Sequence, residues 1–371
     1  MSILVLQNKV LLRPSDLQPL HRDYEVIGVF NPAAVRFGDE IVLLARVAEW
    51  PKERPANRLV SPRVVCQDGR PERVLDTFDP AGVNARDPRV FWLPDKRVRL
   101  RYISHLRLVR LDAEGTRVKA IQAPPALQPC EPWEEFGIED PRITRIGDVY
   151  YITYVAISRQ RGVATALMTT RDFQTFERHG IIFPTENKDV VLLPEKWNGH
   201  FVAYHRPVSD YWINAPSIET GLSPDGIFWG RYQFLMGPRP GEWESVKVGA
   251  GPPPVRLPEG WLLLYHAVSP VTAHSPVGRY CVGAVLLDRN NPLRVLARTR
   301  SPLLCPERPY EKRGFAPDVI FPAGAVLSED KCTLLLFAGA ADEVTAMLRI
   351  SIKAILQHLE AKHHETQTLP R

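Results

Sequence analysis

The sequence has little of what marks a membrane, metal-binding or disulfide-rich protein. No apolar run among its 371 residues approaches the roughly 18 that a membrane-spanning helix needs. The apolar start MSILVLQNKVLL follows no basic region and precedes no small-residue cleavage site, so it predicts a first strand and not a signal peptide. We therefore expect a cytoplasmic protein without a membrane partner.

Cysteine and metal-binding patterns are equally sparse. The five cysteines are odd in number and far apart, and none forms a CxxC pair: Cys66, Cys130, Cys281, Cys305 and Cys332. This spacing favours reduced thiols over a zinc site or a disulfide framework. The ten histidines show neither an HxH nor an HExxH pattern. The sequence thus predicts no metal site.

Charge of one sign is also scarce. The chain has 47 Lys and Arg against 42 Asp and Glu, a formal net charge of +5. Over 371 residues this excess is too dilute to indicate nucleic acid as a partner, although a local anion site remains compatible with it.

Proline, in contrast, is abundant, with 35 residues scattered through the chain. Because proline removes a backbone donor and fixes φ, this content argues against long helices and for many loops and strand ends. Helical periodicity is missing between the apolar runs, which disfavours a doubly wound α/β domain. One helical tail is predicted, over residues 344–362.

A repeat of a polar or Pro-containing head, an apolar run, a turn and a second apolar run extends through the chain. The turns contain Gly-Asp, Pro-Asp, Asn-Gly or Glu-Gly, which suit hairpins. The heads, spaced 49 to 66 residues apart, begin at Asn31, Asp87, Asp140, Asp189, Gly251 and Pro317. An all-β unit of about 50 residues repeated five or six times is typical of β-propeller blades.

We interpret the chain as a single catalytic domain over residues 1–371, because no linker interrupts the repeat. The polar segments 49–62 and 123–136 are predicted to be insertions between blades. In a propeller the innermost strands line a central channel, so the heads at Asn31, Asp87, Asp140, Asp189 and Asp318 should converge there. Carboxylates that converge beside cations suit acid–base chemistry on a polar substrate.

Several ordered motifs carry a resemblance to a known family. They are GIEDPRIT, NKDVVLLPE, HRP, KVGAGPPPV, GWLLLYH, LLD, PYEKRGFAPDVIFPAGAV and AAD. In this order and spacing, from residue 31 to residue 342, the chain resembles glycoside hydrolase family 130, the β-mannoside phosphorylases and related β-mannosidases. The resemblance implies an all-β, five-bladed β-propeller with a central active site. One of the six heads should then belong to an incomplete or closing unit.

The resemblance also implies a reaction. Asp140 corresponds to the general acid that protonates the glycosidic oxygen, and we expect Glu139 and burial to raise the pKa of Asp140. Inorganic phosphate is then the nucleophile in an inverting reaction that gives α-mannose 1-phosphate. Phosphate is a co-substrate here, and no cofactor is implied. Because phosphate arrives as an anion, no second carboxylate is needed as a base.

Other site residues follow from the same motifs. Arg206 and Lys247 correspond to phosphate-binding residues, and Lys188, His266 and Tyr280 are weaker candidates. The mannose-binding candidates are Asn31, Arg46 and Asp342 by resemblance, Asp87 and Asp318 by their place in the repeat, and Glu139 beside the acid. Trp212 and Tyr211 are candidates for stacking on a sugar face.

The chain departs from the family pattern at one position. Many of the phosphorylases have an Arg-Asn pair where this chain has Glu186-Asn187. Because glutamates replace phosphate-binding cations in the family's hydrolases, an inverting β-mannosidase is the first alternative. A glycan-binding propeller without catalysis is the second. The linkage (β-1,2 or β-1,4), the acceptor sugar and a homo-oligomeric state remain open.

Overall fold

Short strands joined by tight turns account for most of the chain. The computed structural model describes residues 4–67, 70–123, 127–209 and 213–361. In chain order the strands are β1 (Val5–Leu12), β2 (Tyr24–Phe37), β3 (Glu40–Pro51), β4 (Leu59–Gln67), β5 (Arg70–Phe78), β6 (Val90–Trp92), β7 (Val98–Leu100), β8 (Ile103–Leu111), β9 (Val118–Ile121), β10 (Ile138–Ile146), β11 (Val149–Ser158), β12 (Gly162–Thr170), β13 (Glu177–Phe183), β14 (Asn187–Leu192), β15 (Phe201–Pro207), β16 (Ile218–Ser223), β17 (Gly230–Met236), β18 (Lys247–Ala250), β19 (Val255–Leu257), β20 (Gly260–Val268), β21 (Tyr280–Leu287), β22 (Val295–Thr299), β23 (Ile320–Leu327), β24 (Thr333–Ala340), β25 (Val344–Ser351) and β26 (Leu359–Ala361). The α-helices are α1 (Pro309–Lys312) and α2 (Ile352–His358), and single 3₁₀ turns occupy Pro14–Asp16 and Pro132–Glu134.

These strands form five antiparallel sheets that are the blades of a β-propeller. Blade 1 has the order β2-β3-β8-β9, blade 2 runs from β10 to β13, and blade 3 from β14 to β17. Blade 4 has the order β18-β20-β21-β22, with β19 beside β20 and β26 beside β22. Blade 5 has the order β23-β24-β25-β1. The predicted five-bladed propeller is confirmed, and β1 is the expected first strand.

The apolar core lies between neighbouring blades. Separate clusters of buried side chains fill the contacts of blades 1 and 2, 2 and 3, 3 and 4, 4 and 5, and 5 and 1. Each central strand therefore buries both of its faces, which explains the nearly continuous apolar runs in the sequence. Strand β24, TLLLFAGA, is buried throughout.

Turn chemistry at the predicted hairpins agrees with the structure. Gly38 and Gly147 adopt φ of +58° and +65° in the turns that join β2 to β3 and β10 to β11. A positive φ strains residues with a Cβ, and glycine adopts it freely. The Gly-Asp pairs thus fix the register of the two innermost hairpins.

One of the six heads, at Asp87, belongs to an insertion and not to a blade. Asp87 lies just before the small hairpin β6–β7, in a segment that also holds the hairpin β4–β5. This segment joins β3 to β8 inside blade 1, so the prediction of an insertion between blades at 49–62 is wrong in its placement. Segment 123–136 does connect two blades, from β9 to β10, and residues 124–126 lie outside the described part.

The C-terminal helix is shorter than predicted. The first half of the expected helix over 344–362 is strand β25, the central apolar strand between β24 and β1. Its run of β-branched and apolar residues is buried on both faces, and tertiary pairing overrides its local helical pattern. The helix begins at Ile352, where the Ser351 side chain accepts a hydrogen bond from the Ala354 amide.

A disulfide contradicts the expectation of reduced thiols throughout. Cys281 in β21 is bonded to Cys305, with 4.5 Å between their Cα atoms. The fold brings them together because the Val282 amide donates to the Leu304 carbonyl, so the 305 segment runs beside β21. Spacing along the chain could not show this pairing, which crosses a strand and a loop. Cys66, Cys130 and Cys332 are free.

Closure of the ring by β1 leads to a stability prediction. Leu12, 1% exposed, lies in the core between blades 5 and 1, whereas Leu6 on the same strand is 52% exposed. We expect Leu12→Ala to lower the free energy of unfolding by about 2–5 kcal/mol, because it leaves a cavity in that core. Leu6→Ala is the matched control, with a change within about 0.5 kcal/mol. Denaturant unfolding measures both, and equal losses would contradict this role of β1.

Candidate active site

Three innermost strands are interrupted at corresponding places. Asn31 in β2, Asp140 in β10 and Asp189 in β14 adopt φ of +48°, +45° and +55°. The strand pairing shifts register beside each of them, as in a β-bulge. Asn and Asp tolerate this left-handed backbone better than other residues with a side chain. Three of the six heads are therefore bulges, and Asn31, Asp140 and Asp189 all line the central cavity.

The cavity has a volume of about 410 Å³ and opens on the propeller axis. It brings together eleven of the twelve site residues predicted from the sequence: Asn31, Arg46, Asp87, Glu139, Asp140, Lys188, Arg206, Lys247, His266, Tyr280 and Asp342. Side chains that the site prediction left out also line it, among them Arg89, Trp92, Tyr102 and Asp189. Glu186, the departure from the family pattern, lies in the same wall.

Carboxylates on one side of the cavity are held by a single guanidinium. Arg46 donates from Nη1 to Asp140 at 2.8 Å, and from Nη2 to Glu139 at 2.6 Å and to the Tyr102 hydroxyl at 2.9 Å. The Asn31 amide adds a hydrogen bond to Asp140 at 2.8 Å. Arg46 is 4% exposed, so these charge-assisted bonds operate away from bulk water.

The pKa values of the two neighbouring carboxyls move apart. Burial would raise the pKa of Asp140, but the positive charges of Arg46 and Arg142 and the bond from Asn31 outweigh burial and lower it. For Glu139, burial dominates over Arg46 and raises the pKa. The sequence-based expectation of a raised pKa at Asp140 is therefore wrong for this structure. Arg142, which is buried behind the bulge, is a cause of the lowered pKa that the sequence analysis did not include.

Cations crowd the opposite side of the cavity. Arg206 Nη1 lies 2.7 Å from Asp189 Oδ2 and 3.1 Å from His266 Nε2. Burial lowers the pKa of His266 to about 4, so its ring is neutral at pH 7. Tyr280 raises the pKa of Lys247, but burial and the charges of Arg206 and Lys188 outweigh it and lower that pKa. The surplus of positive charge around Lys247 disfavours the protonated form of this lysine, and a bound anion would offset that charge.

Tyr280 belongs to this cationic side as well. Lys247 Nζ lies 5.4 Å from the centre of the Tyr280 ring. Burial would raise the pKa of the Tyr280 hydroxyl, but Lys247 and Arg89 lower it. The hydroxyl is thus a strongly polarised donor beside Lys247.

Asp318 is the predicted site residue that the structure does not bring into the cavity. Its carboxylate accepts a hydrogen bond from the Ser275 hydroxyl, and its carbonyl accepts one from the Tyr280 amide at 3.0 Å. Asp318 also has a positive φ of +61°, but it precedes β23 and its carboxylate is bound by Ser275 instead of lining the cavity. Tyr211 and Trp212 lie outside the described residues.

The fold and site together define a β-propeller enzyme whose axial pocket holds a carboxylate pair and a group of cations. The family model of glycoside hydrolase family 130, described as beta-1,4-mannooligosaccharide phosphorylase, matches residues 50–361. The chain belongs to this family.

Individual relatives refine the comparison. A beta-1,2-mannobiose phosphorylase of Listeria innocua is 38% identical over 364 residues, which are 98% of this chain and 99% of the relative. The solved structure of that phosphorylase in complex with beta-1,2-mannobiose superposes with a TM-score of 0.86 over 94% of this chain and 96% of its own. A 1,2-beta-oligomannan phosphorylase of Thermoanaerobacter is 36% identical over 59% of this chain and 70% of its own length.

The buried pair of Asp189 and Arg206 leads to a second prediction. Burial opposes ionisation of Asp189, but Arg206 and His266 hold its pKa well below the usual range. A depressed pKa stabilises the fold above the unfolded value near pH 4, and this stability is lost as pH falls through the folded pKa. We expect Asp189→Asn to lower the free energy of unfolding at pH 7 by about 3–5 kcal/mol, because Arg206 stays buried and unpaired.

Thermal unfolding at several pH values tests this. The gap between wild type and Asp189→Asn should narrow as the pH falls below about 4. The control is Asp148→Asn, which changes an ion pair whose carboxylate is 80% exposed and should shift stability little. A gap that stays constant with pH would contradict the assigned ionisation of Asp189.

Proposed function

We propose that this chain is an inverting β-mannoside phosphorylase that cleaves β-1,2-linked mannobiose and short β-1,2-mannooligosaccharides. Phosphate and the disaccharide would give α-mannose 1-phosphate and mannose. The observation that carries the proposal is one cavity that holds a carboxylate pair together with cations, of which Lys188 and Lys247 form no ion pair with another described residue. The β-1,2 linkage is supported by the near full-length relative from Listeria innocua.

In this proposal Asp140 is the general acid. Its proton passes to the glycosidic oxygen as the bond from that oxygen to C1 of mannose breaks, and a phosphate oxygen forms the new bond to C1 from the opposite face. The β-mannoside becomes an α-mannosyl phosphate, so charge and atoms balance without a catalytic base. Burial raises the pKa of the neighbouring Glu139.

Phosphate would bind the cationic side. Lys188, Lys247 and Arg206 supply charge, and the neutral His266 and Tyr280 supply hydrogen bonds. No cofactor takes part. Among the described residues no group of three or more His, Cys, Asp or Glu side chains is arranged to hold a metal ion, and a metal-free reaction stays a prediction.

Mannose would occupy the side that Arg46 organises. Asn31, Arg46, Glu139 and Asp342 present donors and acceptors for its hydroxyl groups, and Asp87 adds a carboxylate from the insertion. A buried sugar hydroxyl left without a partner costs on the order of 1–3 kcal/mol. This group of side chains would therefore select the sugar.

A hydrolytic reaction is the second candidate, and Glu186 is the observation that favours it. Its carboxylate lines the cavity near Lys188, where it could activate a water molecule in place of phosphate. The proposal of phosphorolysis rests on Lys188 and Lys247, whose charge a water nucleophile would leave uncompensated, whereas Asp189 already offsets that of Arg206.

The cellular setting is part of the proposal. The bond energy retained in a sugar phosphate is useful only where that phosphate can be metabolised, so we propose a cytoplasmic enzyme. The Cys281–Cys305 disulfide is unusual for that compartment. Among the described residues no helix is both long and apolar enough to cross a membrane. Assembly into a homo-oligomer stays a prediction.

Reverse phosphorolysis tests the activity. Purified protein with α-mannose 1-phosphate and mannose should release phosphate and form a β-1,2-linked product, which linkage analysis would identify. Glucose and N-acetylglucosamine, offered separately, are the acceptor controls. Release of mannose from β-1,2-mannobiose without phosphate, abolished in Glu186→Gln, would establish the hydrolytic reaction instead.

The role of Asp140 leads to a separate prediction. Asp140→Asn should lower kcat on the order of 10³-fold, because the leaving oxygen loses its proton donor while the hydrogen bonds from Arg46 and Asn31 keep an acceptor. Asp318→Asn is the matched control, a head residue outside the cavity, and should retain activity within a few fold. Turnover by Asp140→Asn at the wild-type rate would remove Asp140 as the acid.

A further inference from the structure

One cation of the cavity comes from outside the blades. Arg89 lies in the segment that joins β3 to β8, immediately before β6, yet its side chain lines the axial cavity. The propeller could close without this segment, since β3 and β8 are adjacent strands of blade 1. A cation that the insertion carries into the site calls for a functional explanation.

The Arg89 side chain is oriented by its neighbour in the sequence. The Asp87 carboxylate accepts hydrogen bonds from the Arg89 amide at 2.9 Å, from Nε at 3.0 Å and from Nη2 at 2.9 Å. Proline at position 88 restricts the backbone between them. Two of the three guanidinium nitrogens are thus fixed, and the planar fork determines where the third one points.

That third nitrogen, Nη1, faces the junction of the two sides of the cavity. It lies 3.8 Å from Asp342 Oδ2, beyond hydrogen-bond distance. On the other side, the charge of Arg89 acts on Tyr280 and helps to lower the pKa of its hydroxyl. Arg89 therefore stands between Asp342 of the mannose side and Tyr280 of the anion side.

Few of the described cavity residues offer an anion a hydrogen-bond donor that is both fixed in direction and not already paired. Arg206 shares its charge with Asp189 and its Nη1 with His266, and Arg46 is occupied by Glu139 and Asp140. Lys188 and Lys247 are mobile point charges on flexible stems. The charge of Arg89 is shared with Asp87, as that of Arg206 is with Asp189, but Nη1 of Arg89 has a fixed direction and makes no hydrogen bond to another described residue.

We propose that Arg89 is a phosphate-binding residue, which donates from Nη1 to the oxygen of phosphate that attacks C1 of mannose. Asp87 is its positioning residue. The inference rests on the proposed phosphorolysis. It adds that the phosphate site is formed by the insertion between β3 and β8 together with the blades. It also offers a source for the positive charge that Glu186 does not provide.

The test separates the two substrates. In Arg89→Gln we expect the KM for phosphate to rise at least tenfold, while the KM for β-1,2-mannobiose changes less than threefold. Arg89→Lys keeps the charge but not the planar guanidinium fork, so its KM for phosphate should lie between those of the wild type and Arg89→Gln. The matched control is Arg101→Gln: Arg101 belongs to the same insertion, donates to the Ala85 carbonyl at 3.2 Å and does not line the cavity.

A second measurement guards against a merely structural effect. Millimolar guanidinium chloride added to Arg89→Ala should lower the KM for phosphate toward the wild-type value, which restored packing alone would not do. An unchanged KM for phosphate in Arg89→Gln would overturn the inference and leave phosphorolysis intact. A parallel rise of both KM values with a lower melting temperature would overturn it as well. If the wild type itself cleaves mannobiose without phosphate, the proposed function fails first and the inference with it.

Discussion

Left-handed backbone in the innermost strands is the constraint on which the site depends. A regular strand would direct alternate side chains into the blade contacts, where the apolar clusters lie, and would leave no room for charge. At Asn31, Asp140 and Asp189 a bulge with positive φ turns a polar side chain to the axis. Each such residue costs roughly 1–2 kcal/mol, which the blade cores on both sides offset.

Separation of charge within the cavity follows from the same arrangement. Arg46 is placed by β3 so that its fork bridges both carboxylates of β10, and Asp189 of β14 secures Arg206 of β15. Neighbouring blades thus satisfy each other's buried charges, and the remainder is a surplus of cations at Lys188 and Lys247. Because these groups are oriented before a substrate arrives, little reorganisation remains for the reaction itself.

Much of this could be predicted from the sequence, because heads and turns are local signals. Gly-Asp turns and Asx-Pro heads report backbone conformations that few residues adopt, so the blades and eleven cavity residues were within reach. The predictions that failed depend on packing between residues that are far apart in the sequence. Asp318 shares the head pattern but its carboxylate is bound by Ser275 outside the cavity, strand β25 carries a helical pattern, and Cys305 meets Cys281 only through tertiary contact. Arg89 shows no signal beyond its DPR motif, because the course of the insertion over the cavity is not encoded locally.

Ionisation of Asp140 in this structure connects the two sides of the site. In the proposed reaction Asp140 is the acid, and because Arg46 and Arg142 lower its pKa, it must gain a proton before it can protonate a leaving group. Phosphate adds about two negative charges across the cavity, and a sugar that fills it removes water; both effects raise the pKa of a nearby carboxyl. Protonation of the glycosidic oxygen would thus be coupled to occupancy of the phosphate site, so that the acid becomes competent only when its nucleophile is bound.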